Sequence, residues 1–585
     1  MVAVSTLLAE SPRLGHEAPF THFLDVLRHR ATRAPERLAL TFGNGVDAPA
    51  SYTYAQLDQA AQAFGARLQA LGAAGERVVI LLQPSAEYVL ALLGCWYAGA
   101  TAVPVFSPKF NASYERVRLV VEDAHASVLI STRAVVQALD AGQWSALAEG
   151  ALRTLAVDDA PVQPVEAWQV PTIDAGSLAV LQYTSGSTGA PKGVRLLHRH
   201  LLANSAMIQQ AMASSTNDVG VVWLPPYHDM GLIGGLLQPL YVGYPVHLMA
   251  PATFLQRPLR WLEAISRLGG TVSAAPNFAY ELCARRLKPE QVASLDLSRW
   301  RLAANGAEPI RQSTLELFSQ VFSPAGFDAR AFAPCYGMAE TTLLVAASAP
   351  DAAPVTLRAD RQALLGGTVR PAACDDAVVL VSSGTPAAGA RVLIVDPQRL
   401  DALPAGQVGE VWVAGPMVAD GYWNNTQATQ TTFHATLEGG EHLWLRTGDL
   451  GALVEGQLYV TGRLKDVIII HGHNHYPTDL EDTVGKLDPA IRAQGVAAYA
   501  RELGGEEALG LVVEVERSAS EAELAALRVR IIEAVSQVHQ LRVGELLLVA
   551  PNSLPRTSSG KLQRARTRQA VEQGVLQALV GRVQP

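Results

Sequence analysis

Leu181 to Val194 reads L-Q-Y-T-S-G-S-T-G-A-P-K-G-V. An apolar run leads into a turn carrying the hydroxyls of Thr184, Ser185, Ser187 and Thr188, the glycines Gly186, Gly189 and Gly193, and one cation, Lys192. Phosphate oxygens are held by backbone N–H groups, hydroxyl donors and a positive charge, and glycine lets the backbone come close. The P-loop pattern is G-x-x-x-x-G-K-[ST]. Here Lys192 follows Pro191 and precedes Gly193, so this is a phosphate-holding loop of another kind, placed after a strand.

On both sides of that loop the chain alternates. Helical spacing runs over 54–72, a strand-like R-V-V-I-L-L over 77–82, and an apolar helix over 85–98. Strand-like pieces recur at 128–131, 177–183, 219–223 and 245–249 with helical spacing between them. This alternation predicts an α/β fold with largely parallel sheets. From 380 to 462 short apolar runs separated by Gly, Pro and Asp predict a small β-rich subdomain. After 463 the order is strand (V-I-I-I), helix opening at P-T-D-L-E-D with Thr478 and Asp479 in its first turn, strand (A-L-G-L-V-V-E-V-E), long helix over 519–539, and strand (E-L-L-L-V-A). That predicts a compact α+β domain. The expected division is a large N-terminal domain, 1–464, of two α/β subdomains and the β-rich piece, and a small C-terminal domain, 465–585.

The balance of 46 Lys and Arg against 54 Asp and Glu gives a formal charge of −8, with 17% charged and 49% hydrophobic residues. Such a chain has ample apolar surface to bury and is not disordered. It does not bind nucleic acid through overall positive charge. The four cysteines, Cys95, Cys283, Cys335 and Cys374, lie far apart and match neither a metal set nor a disulfide framework. The start, M-V-A-V-S-T-L-L-A-E, lacks the basic region of a signal peptide, so a cytoplasmic location is expected. Residues 88–108 carry no charge and are long enough for a membrane span. Gly94, Gly99 and Pro104 interrupt them, and β-branched residues gather late, so a buried helix followed by a buried strand is expected instead. H-G-H-N-H puts His471, His473 and His475 on one face if extended, a possible metal set. No further Cys or His nearby completes it.

Other segments follow in order: W-L-P-P-Y-H-D-M-G-L-I-G-G (Trp223–Gly235), N-G-A-E-P-I (Asn305–Ile310), Y-G-M-A-E-T-T (Tyr336–Thr342), L-R-T-G-D-L-G (Leu445–Gly451), T-G-R-L-K-D (Thr461–Asp466) and P-R-T-S-S-G-K-L-Q-R (Pro555–Arg564). With the loop at 181–194, this series resembles the adenylate-forming superfamily: acyl-CoA synthetases, luciferases and nonribosomal peptide adenylation domains. The resemblance implies that a carboxylate attacks the α-phosphate of ATP to give acyl-AMP and pyrophosphate, and that an acceptor then takes the acyl group.

It also implies roles. Thr184, Ser185, Gly186, Ser187, Thr188, Gly189 and Lys192 would hold the phosphates. Glu340, with Thr184, would hold Mg²⁺, a hard cation that takes oxygen ligands. Asn305, Gly306, Ala307, Tyr336, Gly337, Met338 and Thr341 would surround the adenine end. Asp449 and Arg463 would take the ribose. Lys561 would stabilise charge at the α-phosphate, Lys465 would be the hinge of a mobile C-terminal domain, and His228 would orient or gate the carboxylate. The uncharged tract after Asp229 suits an apolar acyl tunnel, with Met230, Gly231, Gly234, Asn277 and Phe278 against the chain. Asp229 is a caution, because amino-acid-activating relatives use an aspartate near here for the substrate amine.

Two details resemble the fatty acyl-AMP ligases. A-P-N-F-A-Y (Ala275–Tyr280) is similar to their segment bordering the acyl site. The 44 residues from Glu340 to Gly384 (384 − 340) are long for a CoA ligase. The excess falls near 351–375, where those enzymes carry an insertion thought to restrain the small domain and disfavour CoA. The implied partners are a fatty acid and an acyl carrier protein, or a carrier domain of a polyketide or peptide synthetase. Only 24 residues follow Lys561 (585 − 561), so the carrier is expected in trans. The alternatives are an acyl-CoA ligase with an unusual loop and a non-catalytic adenylate-binding protein.

Overall fold

A computed structural model describes residues 20–44, 50–108, 114–139, 152–158, 168–184, 191–374, 376–438, 440–470, 473–503, 506–516, 520–557 and 560–579. They divide into two compact units. The first comprises 1–355, 383–392 and 413–446; the second comprises 356–382, 393–412 and 447–585. The β-rich stretch forms one four-stranded sheet, in the order Arg391–Val395, Gly409–Ala414, Leu445–Val454 and Gln457–Arg463, and the second unit takes in more of the chain than the expected 465–585 domain. The reason is burial. Apolar residues of 356–382 pack against strands and a helix far along the chain, as described below.

The first unit contains two sheets. One has six strands in the order Arg153–Ala156, Val128–Ser131, Arg77–Ile80, Thr101–Pro104, Leu178–Thr184 and Lys192–Leu197. The first five run parallel and the last is antiparallel to its neighbour. The other has nine, in the order Thr385–Pro386, Leu344–Ala347, Phe332–Gly337, Leu302–Asn305, Val272–Ala275, Gly220–Val222, Val246–Met249, Leu38–Gly43 and Ala50–Thr53. This is the α/β architecture expected from the alternation.

The uncharged stretch 88–108 forms all but the first two residues of the helix Ala86–Tyr97 and the buried strand Thr101–Pro104. Ser85 starts that helix by accepting from the Tyr88 N–H. The helix packs on Tyr54–Ala70 at glycine contacts. A Cβ on Gly65 would lie 2.4 Å from Tyr97 Cβ, and one on Gly94 would lie 2.7 Å from the Phe64 ring. Larger residues would force the two helices apart and open the core between them.

The second unit carries the three-stranded sheet Ile491–Leu503, Glu506–Val515 and Val543–Val549. The helices Pro477–Gly485 and Glu521–His539 cover one face of its core, including Leu480, Val484, Leu524, Ile531 and Val535. Ser520 and Glu523 form a capping box at the start of the long helix. The segment expected to be an insertion is built rather than loose. Thr356–Ala359 pairs antiparallel with Val378–Val381, and the short helix Arg361–Leu365 begins at the Asp360 cap. Ala359, Leu364 and Val369 bury themselves with Leu450, Ala452 and Tyr476. No helix among the described residues is long and apolar enough to cross a membrane.

Candidate active site

The stem of the loop at 181–194 is a hairpin in which Thr184 pairs with Lys192 across the strands Leu178–Thr184 and Lys192–Leu197. Ser185, Gly186, Ser187, Thr188 and Gly189 lie outside the described residues. The stem is fastened from both sides. The Tyr183 hydroxyl donates to Asp123 Oδ2 (2.5 Å), which together with burial pushes the phenol well above its ordinary pKa. On the other side the Trp423 N–H donates to the Gly193 carbonyl (2.7 Å), and the Arg195 N–H to the Gly421 carbonyl (2.9 Å). Arg195 also pairs with Asp420 at 2.8 Å.

Y-G-M-A-E-T-T folds as a tight return between the strands Phe332–Gly337 and Leu344–Ala347, with one 3₁₀ turn at Ala339–Thr341. Gly337 is dictated by space, since a Cβ there would lie 1.6 Å from the Leu343 carbonyl oxygen. Thr341 is fully buried, and its hydroxyl donates to the Met338 carbonyl (2.9 Å), so it shapes the turn rather than facing a ligand. Thr342 adopts a left-handed φ of 62°, held by a hydrogen bond from its hydroxyl to the Met417 carbonyl (2.8 Å). The turn presents Glu340, which is buried and accepts from the Tyr422 hydroxyl at Oε1 (2.8 Å). The ring of Tyr422 lies 5.0 Å from Lys192 Nζ.

Asn305 and Tyr336 sit at the carboxyl ends of two neighbouring parallel strands, where open α/β sheets bind their ligands. Asn305 is fully buried, yet neither its Oδ1 nor its Nδ2 has a hydrogen-bond partner among the described residues. Leaving such a group unsatisfied costs about 1–3 kcal/mol, a cost that an adenine edge would remove. Gly306 follows, with room only for hydrogen because a Cβ would meet Cys335 Sγ at 2.9 Å. Ala307 holds φ at 69°. An acidic turn, a lysine and a threonine at a hairpin end, and an unsatisfied amide at a strand end suit a nucleotide triphosphate and a hard cation.

His228 Nδ1 lies 2.6 Å from Asp229 Oδ1, and the Met230 N–H donates to that same oxygen (2.6 Å). Asp229 thus caps the helix Met230–Leu237, which has the wide π geometry. Gly231 permits that start, because a Cβ would lie 2.1 Å from the Pro225 carbonyl oxygen. A Cβ on Gly234 would meet only Leu343, at 3.2 Å. Phe278 stands edge-on to Trp223, with centroids 6.2 Å apart. Asn277 behaves differently from its expected acyl contact. It is buried, donates to Thr314 Oγ1 (3.1 Å) and accepts from the Arg311 N–H (3.2 Å), pinning two helices together.

In the second unit, Asp449 and Arg463 face each other across the antiparallel strands Leu445–Val454 and Gln457–Arg463, with Nε to Oδ1 at 3.0 Å. Asp449 is buried while the Arg463 side chain is 65% exposed. Lys465 lies in the turn that follows, closed by the Asp466 N–H donating to the Arg463 carbonyl (3.0 Å). Arg564 braces this turn with two 2.7 Å bonds to Glu481 and one of 3.1 Å to Asp466. Lys561 sits in a small loop closed on Thr557, whose N–H donates to the Lys561 carbonyl (2.8 Å) while its hydroxyl accepts from the Lys561 N–H (3.0 Å). His473 and His475 form a short strand, and His471 lies outside the described residues. Among those residues no three His, Cys, Asp or Glu side chains gather as a metal set.

Sequence reasoning did not single out Tyr422 or Arg564. Tyr422 has no local signal in A-D-G-Y-W; only folding brings it to Glu340, 82 positions away (422 − 340).

Residues 27–423 match the family described as AMP-binding enzyme, and residues 465–579 match the AMP domain described as Disco-interacting protein 2-like. A medium-chain-fatty-acid–[acyl-carrier-protein] ligase of Moorena producens is 41% identical, over 96% of this chain and 97% of its own. A long-chain-fatty-acid–AMP ligase of Mycolicibacterium smegmatis is 36% identical, over 91% and 90%. Among solved structures, a fatty acyl-adenylate ligase from Legionella pneumophila in complex with acyl adenylate and pyrophosphate superposes with a TM-score of 0.75 at 37% identity, covering 97% of this chain and 98% of that one. A structure from work on the fatty acyl-adenylate ligases of Escherichia coli and L. pneumophila reaches 0.87 at 31% identity, covering 96% and 99%.

Proposed function

The chain belongs to the AMP-binding enzymes, in their fatty acyl-AMP ligase branch, and from that premise we propose that it joins a medium- or long-chain fatty acid to AMP and passes the acyl group to a carrier protein. ATP and the fatty acid give acyl-AMP and pyrophosphate. The phosphopantetheine thiol of an acyl carrier protein, or of a carrier domain in a polyketide or peptide synthetase, then displaces AMP. The strongest support is one tyrosine, Tyr422, whose hydroxyl meets the buried Glu340 carboxylate and whose ring faces the Lys192 ammonium, together with the unsatisfied Asn305 amide at a strand end.

In this reading Lys192, Thr184 and the loop hydroxyls neutralise and position the phosphates, since in-line displacement at phosphorus is mostly positioning and charge compensation. Mg²⁺ would be held by Glu340 with Thr184, and when bound it supplies charge neutralisation on the phosphate oxygens. Asn305, with Gly306 and Ala307, takes the adenine edge and Tyr336 its face. Asp449 accepts the ribose hydroxyls and Arg463 supports them. Lys561 steadies the charge that develops at the α-phosphorus, and Lys465 is the hinge. His228 is held by Asp229 so that its other ring nitrogen is available to the acyl carboxylate. With Asp229 committed to His228 and the Met230 N–H, an amino-acid amine is a poorer substrate group than a plain acyl chain. The reaction belongs in the cytoplasm, where ATP and carrier proteins are found.

Incubation with ATP, Mg²⁺ and dodecanoic acid, with and without CoA and with a holo carrier protein, followed by mass spectrometry, tests this. Acyl-AMP in every tube and acyl carrier product in the last is the expected result. Efficient acyl-CoA formation would make the protein a CoA ligase. Absence of acyl-AMP with every fatty acid tried would leave a non-catalytic adenylate binder.

A further inference from the structure

We infer that Tyr422 is a positioning residue that sets the rotamer of the Glu340 carboxylate with its hydroxyl and the pose of the Lys192 ammonium with its ring. Three observations carry this. The hydroxyl donates to Glu340 Oε1 at 2.8 Å, which fixes one carboxylate oxygen and directs the other. Lys192 Nζ lies 5.0 Å from the ring centroid, within reach of a cation–π attraction. The tyrosine is itself held: its N–H donates to Thr429 Oγ1 (2.9 Å), its ring meets Phe433 edge-on, and it bridges to Val194 on the strand that carries Lys192. The loop lysine and the acidic turn are far apart in sequence, and one side chain ties them together.

This inference rests on the reading of Glu340 as the carboxylate that holds the cation. It separates the tyrosine's two functions, because phenylalanine keeps the ring and loses only the donor. The test uses the full-length protein and its Tyr422→Phe, Tyr422→Leu and Glu340→Gln variants. Mn²⁺ binding in the presence of ATP is followed by loss of the free-ion electron paramagnetic resonance signal. ATP affinity without metal is measured by calorimetry, and folding by thermal melting.

Tyr422→Phe is expected to raise the half-saturating Mn²⁺ concentration by roughly tenfold or more, the scale of a hydrogen bond to a charged group. Its metal-free ATP affinity should stay near that of the parent. Tyr422→Leu should share the metal defect and also weaken metal-free ATP binding by roughly threefold or more, the scale of a lost cation–π contact. A purely structural tyrosine would lower the melting temperature without splitting these two readouts. Unchanged Mn²⁺ binding in Tyr422→Phe, with a shift in Glu340→Gln, would overturn the inference alone. A metal defect confined to Tyr422→Leu would overturn the hydrogen-bond function. Unchanged Mn²⁺ binding in Glu340→Gln would overturn the cation reading and this inference with it, while acyl-AMP formation by the parent would still uphold the proposed reaction.

Discussion

Arg361 and Asp479 form an ion pair, Nη1 to Oδ2 at 2.6 Å, between the short helix of the segment expected as an insertion and the first turn of the helix Pro477–Gly485. Arg361 also holds Asp376 at 3.0 Å, and its side chain is only 12% exposed. His539 Nδ1 stands 3.7 Å from the same Asp479 oxygen, and the His539 Nε2 shares a hydrogen bond with Thr483. Burial holds the His539 pKa below its usual value. The segment is thus fixed to the C-terminal helices by charge as well as by its apolar core.

Arg361→Ala should loosen that attachment by about 1–3 kcal/mol, the cost of leaving a part-buried charged acceptor without its donor. Hydrogen exchange should quicken in 356–365 and 477–485. If the segment restrains the small domain, acyl-CoA should rise in the same variant. Faster exchange with no CoA product would locate the exclusion of CoA elsewhere. Removing the whole segment is a poorer test, because Ala359, Leu364 and Val369 would leave a hole beside Leu450 and Tyr476.

Lys561→Ala should lower ATP–pyrophosphate exchange by roughly 10²–10³-fold, the scale for one preorganised charge donor. Melting should be nearly unchanged, because the loop is closed on Thr557 through the main-chain N–H and carbonyl of residue 561. An unaltered exchange rate would remove the lysine from the chemistry.

Gly231→Ala should destabilise the first unit by about 1–3 kcal/mol, as overpacking does, because the new methyl would meet a backbone carbonyl that cannot rotate away. Thermal melting reads the effect. A variant as stable as the parent would show that the start of the π-helical stretch can shift.

His198 is buried, accepts from the Phe23 N–H at Nδ1 (3.3 Å), and has its pKa lowered to about 3, chiefly by burial. The unfolded chain binds this proton near pH 6.5 and the folded chain does not, so stability from this group is full above that pH and falls as the pH drops toward 3. The loss is about 1.4 kcal/mol per pH unit within that window. His198→Gln should flatten the acid limb of the stability profile by about one proton. An unchanged slope would assign that limb to other groups, of which His200, lowered to about 4 by burial, is the next candidate.

The strands at 128–131, 178–184 and 246–249 were legible because each is a short, mostly apolar run whose central residues are buried on both faces. The strand Ile491–Leu503 was not. Its sequence, I-R-A-Q-G-V-A-A-Y-A-R-E-L, alternates poorly and is broken by Gln494 at φ 55° and a register shift. Thr184, Lys192 and Glu340 stood out in the sequence because phosphate and cation binding would need such atoms, and Lys192 and Glu340 both meet Tyr422 in the fold. Asn277 looked like a ligand contact because its neighbours do, yet its amide serves two helix ends. Tyr422 stayed hidden because its value lies in a partner that only tertiary folding supplies.

The discontinuous second unit has a consequence for the order in which the chain is made. Residues 356–382 leave the ribosome well before Tyr476 and the helix they pack against, which follow 94 residues later (476 − 382). At ~5–20 residues per second that interval is roughly 5–20 s. Throughout it Leu364 and Val369 have no partner from the C-terminal helices, so the nascent protein carries an apolar hairpin that a chaperone can hold. A stall before residue 476 would leave a chain with a complete first unit and an adhesive half-built second one.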